Sequence, residues 1–304
     1  MRQFPWDDLQ YFLAVAQEGK LSSAARRLRT SHVTVARRIE RLEQGIGAKL
    51  FQRSPTGYTL TPMGQRLMEP AQAMALEADK MLSVVGDGAL PLSGVIRLSV
   101  PEGYGNFFIA EKLPHFASQY PNLTIEMVNI QQIVSLSRRE ADVSVSLSTP
   151  KAGSYHFEKI SSYILYVYAS RDYLARNRAI KQREDLAGHP FIGYIEDMIF
   201  TPELNYLGEI IPGLRPSYQT SSVFAQLKAC RAGYGLCVLP YYMGAMFDDL
   251  VAVMPRIFPI HRDYWLVCHN DMIDAARIRP LIEFIRRETT AAREWFNGFP
   301  KQFV

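Results

Sequence analysis

Apolar residues in the first part of the chain recur at the spacing of helices. Leu9, Phe12, Leu13 and Ala16 stand at i, i+3, i+4 and i+7, which predicts a helix over 6–17 begun by Pro5 and Asp7-Asp8. Ala24, Ala25 and Leu28 give a shorter apolar face, with Ser22 before it as N-cap. Arg29, Thr30 and Ser31 break the rhythm and offer a cap for a third helix. Its buried stripe is Val35, Ile39, Leu42 and Ile46. That stripe leaves His32, Val33, Thr34, Arg37, Arg38 and Arg41 facing outward. Residues 49–53 then read as a strand, 54–57 as a turn and 58–60 as the return strand. A helix-turn-helix followed by a β wing predicts an α-rich winged helix-turn-helix domain over residues 1–61. A helix that shows small and basic groups in its N-terminal half suits a DNA major groove, where guanidinium groups read guanine edges or hold phosphates. Taken alone, the same pattern also describes the solvated face of a helical hairpin.

Thr61-Pro62 opens a longer helix over 62–87, with Thr as cap and Pro in the first turn. Leu67, Ala71, Met74, Ala78, Met81 and Val85 step by four and three, a heptad seam. Pro70 introduces an early kink. The domain before it reads as complete, so the seam is expected to meet a second copy of the chain rather than its own domain. Residues 88–91 form a hinge within a Gly-, Pro- and Ser-rich stretch.

From Val95 the rhythm changes. Strands are expected at 95–100, 123–128 and 143–147, with helices over 107–118 and 130–139 between them. Such alternation predicts a mostly parallel sheet covered by helices. Strands at 157–160 and 163–169 lead out of this lobe. A second unit follows, with strands at 234–238, 251–254 and 264–268, a helix over 222–231 started by Ser221, and a last helix over 274–288.

These features have a family likeness. Residues 6–66 resemble the DNA-binding domain of LysR-type transcriptional regulators through Leu9, Phe12, Ala24-Ala25, Leu28, Val35, Arg37, Ile39, Leu42-Glu43, Gly47, Leu50-Phe51, Arg53, Gly57, Leu60-Thr61 and Gly64. Residues 92–290 resemble the effector-binding domain of the same family. The resemblance implies an α/β effector domain of two lobes, like a periplasmic solute-binding protein, preceded by the winged helix-turn-helix. The lobes fall at 92–166 plus 267–290 and at 167–266, with strands crossing at 166–168 and 265–267 and an aromatic tail over 291–304. It implies double-stranded DNA, a small-molecule effector, a homodimer or homotetramer that bends DNA, and the transcription machinery as partners. Ser22, Ser31 and the residues from His32 to Arg41 would serve the major groove, and Arg53 of the wing the minor groove. Ala36 stands where the family often has Ser, so base preference does not transfer.

Charge agrees with this division. The net charge is +4, yet residues 1–70 hold 11 Lys/Arg against 6 Asp/Glu, a balance of +5. The basic charge belongs to the segment that would meet phosphates. No stretch is long and apolar enough to span a bilayer, and residues 1–20 lack a signal-peptide layout, so a cytoplasmic protein without membrane partners is expected. Cys230, Cys237 and Cys268 are too few and too odd in number for a disulfide framework, and are expected to be buried inert thiols. No His or Cys pair has metal-ligand spacing, and no G-x-S-x-G or phosphate loop occurs. The chain is therefore expected to be no enzyme and to need no metal or cofactor. A solute receptor carrying a helical N-terminal domain, or an α/β enzyme of related lobe architecture, remains the alternative.

Ligands in open α/β sheets bind beyond the carboxyl ends of strands, where helix N-termini offer free N–H groups. That rule selects Pro101, Glu102, Gly103 and Tyr104 after the first strand, Asn129, Ile130 and Gln131 after the next, and Ser148 and Thr149 after the third. In the second lobe it selects Gly193 and Tyr194, then Thr220, Ser221 and Ser222, for which helix capping alone is the plainer explanation. Glu102 stands where many family members have Ser or Thr. It adds negative charge or fills an anion site itself, so a cationic or neutral effector is expected rather than a carboxylate docked at this loop.

Overall fold

The computed structural model describes residues 5–54, 57–85, 92–129 and 141–304, without the side chains of residues 76 and 79–85. The chain forms two compact units, Met1–Asp87 and Gly88–Val304.

The first unit begins with a single 3-10 turn over Trp6–Asp8, followed by α1 (Leu9–Glu18), α2 (Leu21–Arg27) and α3 (His32–Ile46). Strands β1 (Phe51–Ser54) and β2 (Gly57–Leu60) pair antiparallel as the wing. Helix α4 (Pro62–Val85) follows. The amphipathic stripes close on one core, in which Phe12, Val35, Leu42 and Leu50 are fully buried. Gly47 ends α3 at φ 78°, and its N–H donates to the Glu43 carbonyl at 2.8 Å. Glu43 is itself buried. Its carboxylate accepts the N–H groups of Leu50 at 2.8 Å and Phe51 at 3.3 Å, and Lys49 Nζ at 2.6 Å, so it fastens the wing to α3.

Two expectations for this unit need correction. Ser22 does not cap α2: the helix starts at Leu21 with Lys20 at the cap position and no side-chain cap bond. The seam of α4 is not free for a partner along its whole length. Ala71 lies in the core, and Leu67 and Met74 pack against it. Three short helices and a wing leave an open face, and the first turns of α4 close it. Of the remaining seam residues Ala78 is exposed, while the side chains of Met81 and Val85 lie outside the described residues.

The second unit opens with β3 (Gly94–Val100) and α5 (Glu102–Tyr104), continued by a π turn over Gly105–Ile109. Then come α6 (Leu113–Gln119), β4 (Leu123–Asn129) and β5 (Val143–Ser146). β6 (Tyr155–Ser170) is one strand of 16 residues where two shorter ones were expected. Next are α7 (Arg171–Arg176), β7 (Phe191–Gly193), α8 (Leu207–Ile210), β8 (Tyr218–Gln219), α9 (Val223–Arg231), β9 (Leu236–Pro240) and α10 (Tyr241–Gly244). β10 (Leu250–Val253), β11 (Ile260–His269), α11 (Arg279–Ala291) and α12 (Arg293–Phe296) complete it. The expected helix over 130–139 lies outside the described residues, as does the linker at 86–91.

Among the described residues nine strands form one sheet, in the order β4-β3-β5-β11-β6-β9-β7-β8, with β10 on β6. β3 is parallel to both β4 and β5, and β7 to both β8 and β9, so each lobe has a parallel centre. β6 and β11 join the lobes. They pair antiparallel from Ile260↔Leu165 to His269↔Tyr155, with a bulge at Tyr264/Trp265. β11 takes β5 as its other neighbour from Trp265 onward, while β6 takes β9 from Leu165 onward. The exchange of neighbours therefore spans 161–165 and 260–265, slightly before the expected crossing at 166–168.

The segment over 291–304 is part of this unit. Phe296 is fully buried against Tyr104, Phe108, Tyr242 and Tyr264, with ring centroids 4.8 to 6.1 Å away. Farther on, Val304 N–H donates to the Ala252 carbonyl at 3.0 Å and receives the Met254 N–H at 2.7 Å on its own carbonyl, which covers the β10 edge. Cys230, Cys237 and Cys268 are all fully buried. Burial drives the Cys237 thiol well up and the Cys268 thiol to about 11, so neither is a thiolate at neutral pH.

Phe296→Ala is expected to cost about 3–5 kcal/mol, as for other fully buried aromatic side chains. Urea unfolding followed by circular dichroism measures this; a loss below about 1 kcal/mol would mean that the aromatic cover is incidental.

Candidate nucleic-acid interface and ligand cleft

Ser31 caps α3 through its Oγ, which accepts the Thr34 N–H at 3.1 Å and lies 2.9 Å from Thr34 Oγ1. The cap fixes where the first turn of α3 meets solvent. His32 and Arg37 are exposed there, Thr34 is half-buried, and Val33 is 64% exposed although apolar. An open methyl surface beside a guanidinium matches the edge of a base pair, where thymine offers a methyl and guanine two acceptors. Arg53 is exposed on β1, its guanidinium 6.0 Å from the Tyr58 ring centre.

Arg38 and Arg41 do not present free guanidinium groups as expected. Asp8, fully buried at the start of α1, takes both. Arg41 binds it in a two-pronged pair, Nε–Oδ2 at 2.5 Å and Nη2–Oδ1 at 2.7 Å, and Arg38 Nη1 reaches Oδ1 at 3.1 Å. The Asp8 hydrogen bond holds the Arg41 charge even more firmly than usual. Arg38 also lies 5.4 Å from the centre of the Tyr11 ring. These two arginines fasten α3 to α1. Arg37 makes no hydrogen bond or ion pair within the described residues.

In the second unit a cavity of about 1050 Å³ lies between the lobes. Pro101, Glu102, Gly103, Ser148, Thr149 and Tyr194 line it, as the strand-end rule selected. Other expected residues do not. Tyr104 is fully buried in the core, its hydroxyl 2.7 Å from Thr289 Oγ1. Asn129 is exposed and donates to Asn106 at 2.6 Å. Gly193 is packed against Leu207 and Pro216. Ile130 and Gln131 lie outside the described residues. Thr220, Ser221 and Ser222 are absent from the lining; Thr220 Oγ1 accepts the Ser222 N–H at 3.2 Å.

Ser222, not Ser221, caps α9: its Oγ accepts the Ala225 N–H at 3.1 Å. Ser222 also meets the opposite lobe. Its hydroxyl donates to Glu102 Oε1 at 2.7 Å, and the Val223 N–H donates to Glu102 Oε2 at 2.9 Å. Glu102 thus occupies the N-terminus of a helix in the other lobe, where free N–H groups and the helix dipole favour an anion. Nearby, Thr201 Oγ1 donates to Ser148 Oγ at 3.3 Å, a second polar contact between the lobes. Gly103 lets them approach: a Cβ there would stand 3.1 Å from Met243 Sδ and from the Tyr242 hydroxyl.

Sequence reasoning missed the aromatic wall. Tyr163 and Tyr264 stack with centroids 4.2 Å apart, and Tyr264 and Tyr242 share a 2.6 Å hydrogen bond. All three line the cavity together with Tyr206 and Trp265. Burial pushes the phenols of Tyr163, Tyr206, Tyr242 and Tyr264 up, so they stay neutral donors. Burial, and after it the Glu102 charge, does the same to Tyr194. The wall draws on separate stretches, Tyr163 on β6, Tyr206 before α8, Tyr242 on α10 and Tyr264 and Trp265 on β11, and aromatic strand residues read first as core.

No group of His, Cys, Asp or Glu among the described residues is arranged to hold a metal. No described helix is long and apolar enough to cross a membrane.

A winged helix with an exposed basic recognition helix, carried on one chain with a two-lobed domain around a cavity, defines a DNA-binding regulator with a small-molecule domain. Residues 6–65 match the bacterial regulatory helix-turn-helix proteins of the lysR family, and residues 90–290 match the LysR substrate binding domain. The chain belongs to the LysR family of transcriptional regulators. It is 24% identical to the HTH-type transcriptional regulator DmlR of Escherichia coli over 92% of this chain and 93% of that one. It is 30% identical to the regulator PtxR of Pseudomonas aeruginosa over 61% of this chain and 60% of that one. Its fold is similar to that of CrgA from Neisseria meningitidis (TM-score 0.58, 21% identity, 93% and 98% of the two chains). It is also similar to that of a full-length OxyR from Pseudomonas aeruginosa (TM-score 0.71, 17% identity, 95% and 98%).

Ser222→Ala removes both the α9 cap and a Glu102 partner, and is expected to cost about 1 kcal/mol or somewhat more. Ser221→Ala is expected to stay within about 0.5 kcal/mol of the parent. Paired denaturant melts distinguish the two, and equal losses would mean that the cap is misassigned.

Proposed function

We propose that this LysR-family regulator reads DNA with the N-terminal half of α3 and responds to a small molecule in the cavity between its lobes. The exposed, unpaired Arg37 beside Val33 and His32, on a helix capped by Ser31, is the observation that carries the DNA half of this reading. His32, Val33, Thr34 and Arg37 contact bases, and Arg53 of the wing approaches the neighbouring minor groove. Arg38 and Arg41 hold the helix at its angle through Asp8. The cavity and the polar contacts that bridge its two sides support the effector half. A ligand that fits one spacing of the lobes better than another shifts their equilibrium by its difference in affinity.

The protein works in the cytoplasm as a dimer or tetramer, without cofactor. The distal half of α4, from Ala78 onward, supplies the contact between copies, since its proximal half is spent on its own domain. A dimer places two recognition helices on one face of DNA, so the sites are interrupted inverted repeats.

Selection of binding sites from fragmented genomic DNA at near-physiological salt is expected to enrich such repeats. Uniform enrichment without a motif would sink the sequence-specific reading. On a selected site, Arg37→Ala is expected to lower affinity. If Arg37 holds a phosphate, the slope of log K against log salt falls by about 1. If it reads a base, affinity falls by about 1–3 kcal/mol and specificity relaxes at one position. No change in either quantity would remove Arg37 from the interface.

A further inference from the structure

Resting on the reading of the cleft as the effector site, we propose that its effector is an organic cation, an amine or quaternary ammonium, and that Glu102 sets this choice. Three observations converge. First, the place in the cleft best suited to a ligand carboxylate, the α9 N-terminus, is already taken by the Glu102 carboxylate through Ser222 and the Val223 N–H. A carboxylate ligand would have to displace it or lie beside a like charge.

Second, the cations on the cavity wall are committed or peripheral. Arg262 Nε donates to the Glu203 carbonyl at 3.0 Å, its Nη1 to the His261 carbonyl at 2.9 Å, and its Nη2 pairs with the Glu209 carboxylate. Lys151 and His261 are exposed at the rim. The wall carries further carboxylates: Glu203, which accepts the Thr201 hydroxyl, and Asp263, which pairs with Lys159 Nζ at 2.7 Å and accepts Ser162 Oγ at 2.9 Å. Third, the lining offers what holds an ammonium group. Tyr163, Tyr194 and Tyr264 place aromatic surface in the same cavity as Glu102. The Glu102 charge is felt at the Tyr194 hydroxyl. Ring faces next to a carboxylate attract cations most strongly where water is excluded. Ser144, on the same wall, keeps a buried Oγ without a hydrogen-bond partner among the described residues.

Benzylammonium and benzoate, matched in ring and opposite in charge, test this with the full chain by titration calorimetry at fixed ionic strength. The unsubstituted protein is expected to bind benzylammonium about tenfold or more tighter than benzoate. Glu102→Gln, close in size but uncharged, is expected to lose most of that preference. Glu102→Ser, which vacates the α9 N-terminus, is expected to reverse it. Thr149→Trp, which fills the cavity at its lining, is expected to abolish binding of both probes while DNA binding persists. Three results would overturn the cation assignment: benzoate binding as well as benzylammonium, neither probe binding at millimolar concentration, or an unchanged preference in both Glu102 variants. If Thr149→Trp removes the binding seen in the first or the third of these results, the cleft survives as the effector site. Unchanged binding of both probes to Thr149→Trp would instead overturn the cleft reading, and the cation assignment with it.

Discussion

The antiparallel pairing of β6 with β11 decides where the rest of the second unit can lie. Each strand runs through both lobes and changes its outer neighbour on the way, β11 to β5 and β6 to β9. Loops that follow parallel strands on either side of that change point into the same gap, which is why the cavity sits there. The pairing also explains the lining. Tyr163 and Tyr264 project from the two joining strands themselves, so the stacked rings form part of the connection as well as the cavity wall.

Much of the first unit was legible because its helices are amphipathic and short. The stripe Val35, Ile39 and Leu42 is buried as its spacing requires. The role of Asp8 was not legible. A carboxylate at a helix start reads the same whether it caps or pairs, and its partners lie 30 and 33 positions away. The proximal part of the α4 seam was misjudged for a related reason. A heptad pattern specifies an apolar face, not which surface covers it, and here Ala71 completes the domain's own core. In the second unit Ser161-Ser162 looked like a break between strands. In the sheet Ser162 Oγ donates to Asp263 at 2.9 Å, so the polar pair is accommodated without interrupting β6. The strand-end rule found Pro101, Glu102, Gly103, Ser148, Thr149 and Tyr194, a minor part of the cavity lining. The wall tyrosines escaped it because they come from strand interiors, from α10 and from the position before α8, and the two-lobe division itself rested on family resemblance.

Internal carboxylates do parallel work in the two units. Asp8 claims guanidinium groups on α3 and Glu102 claims the N-terminus of α9, in each case a position that attracts anions from outside. The first engages the guanidinium groups of Arg38 and Arg41. The second makes one lobe its own partner's ligand. Both replace an indiscriminate electrostatic attraction by a fixed contact.

The three buried thiols give this fold a built-in clock. Cys230 and Cys237 lie on α9 and β9 in one lobe, while Cys268 lies on β11 opposite Val143 of β5 in the other. Each must reach solvent before it can react with an alkylating reagent, so alkylation reports opening of its own neighbourhood and not the solvent exposure of the native surface. Peptide-resolved labelling then times the two lobes separately in the unmodified chain. Whether they open as one body or in sequence becomes a matter of comparing two rates.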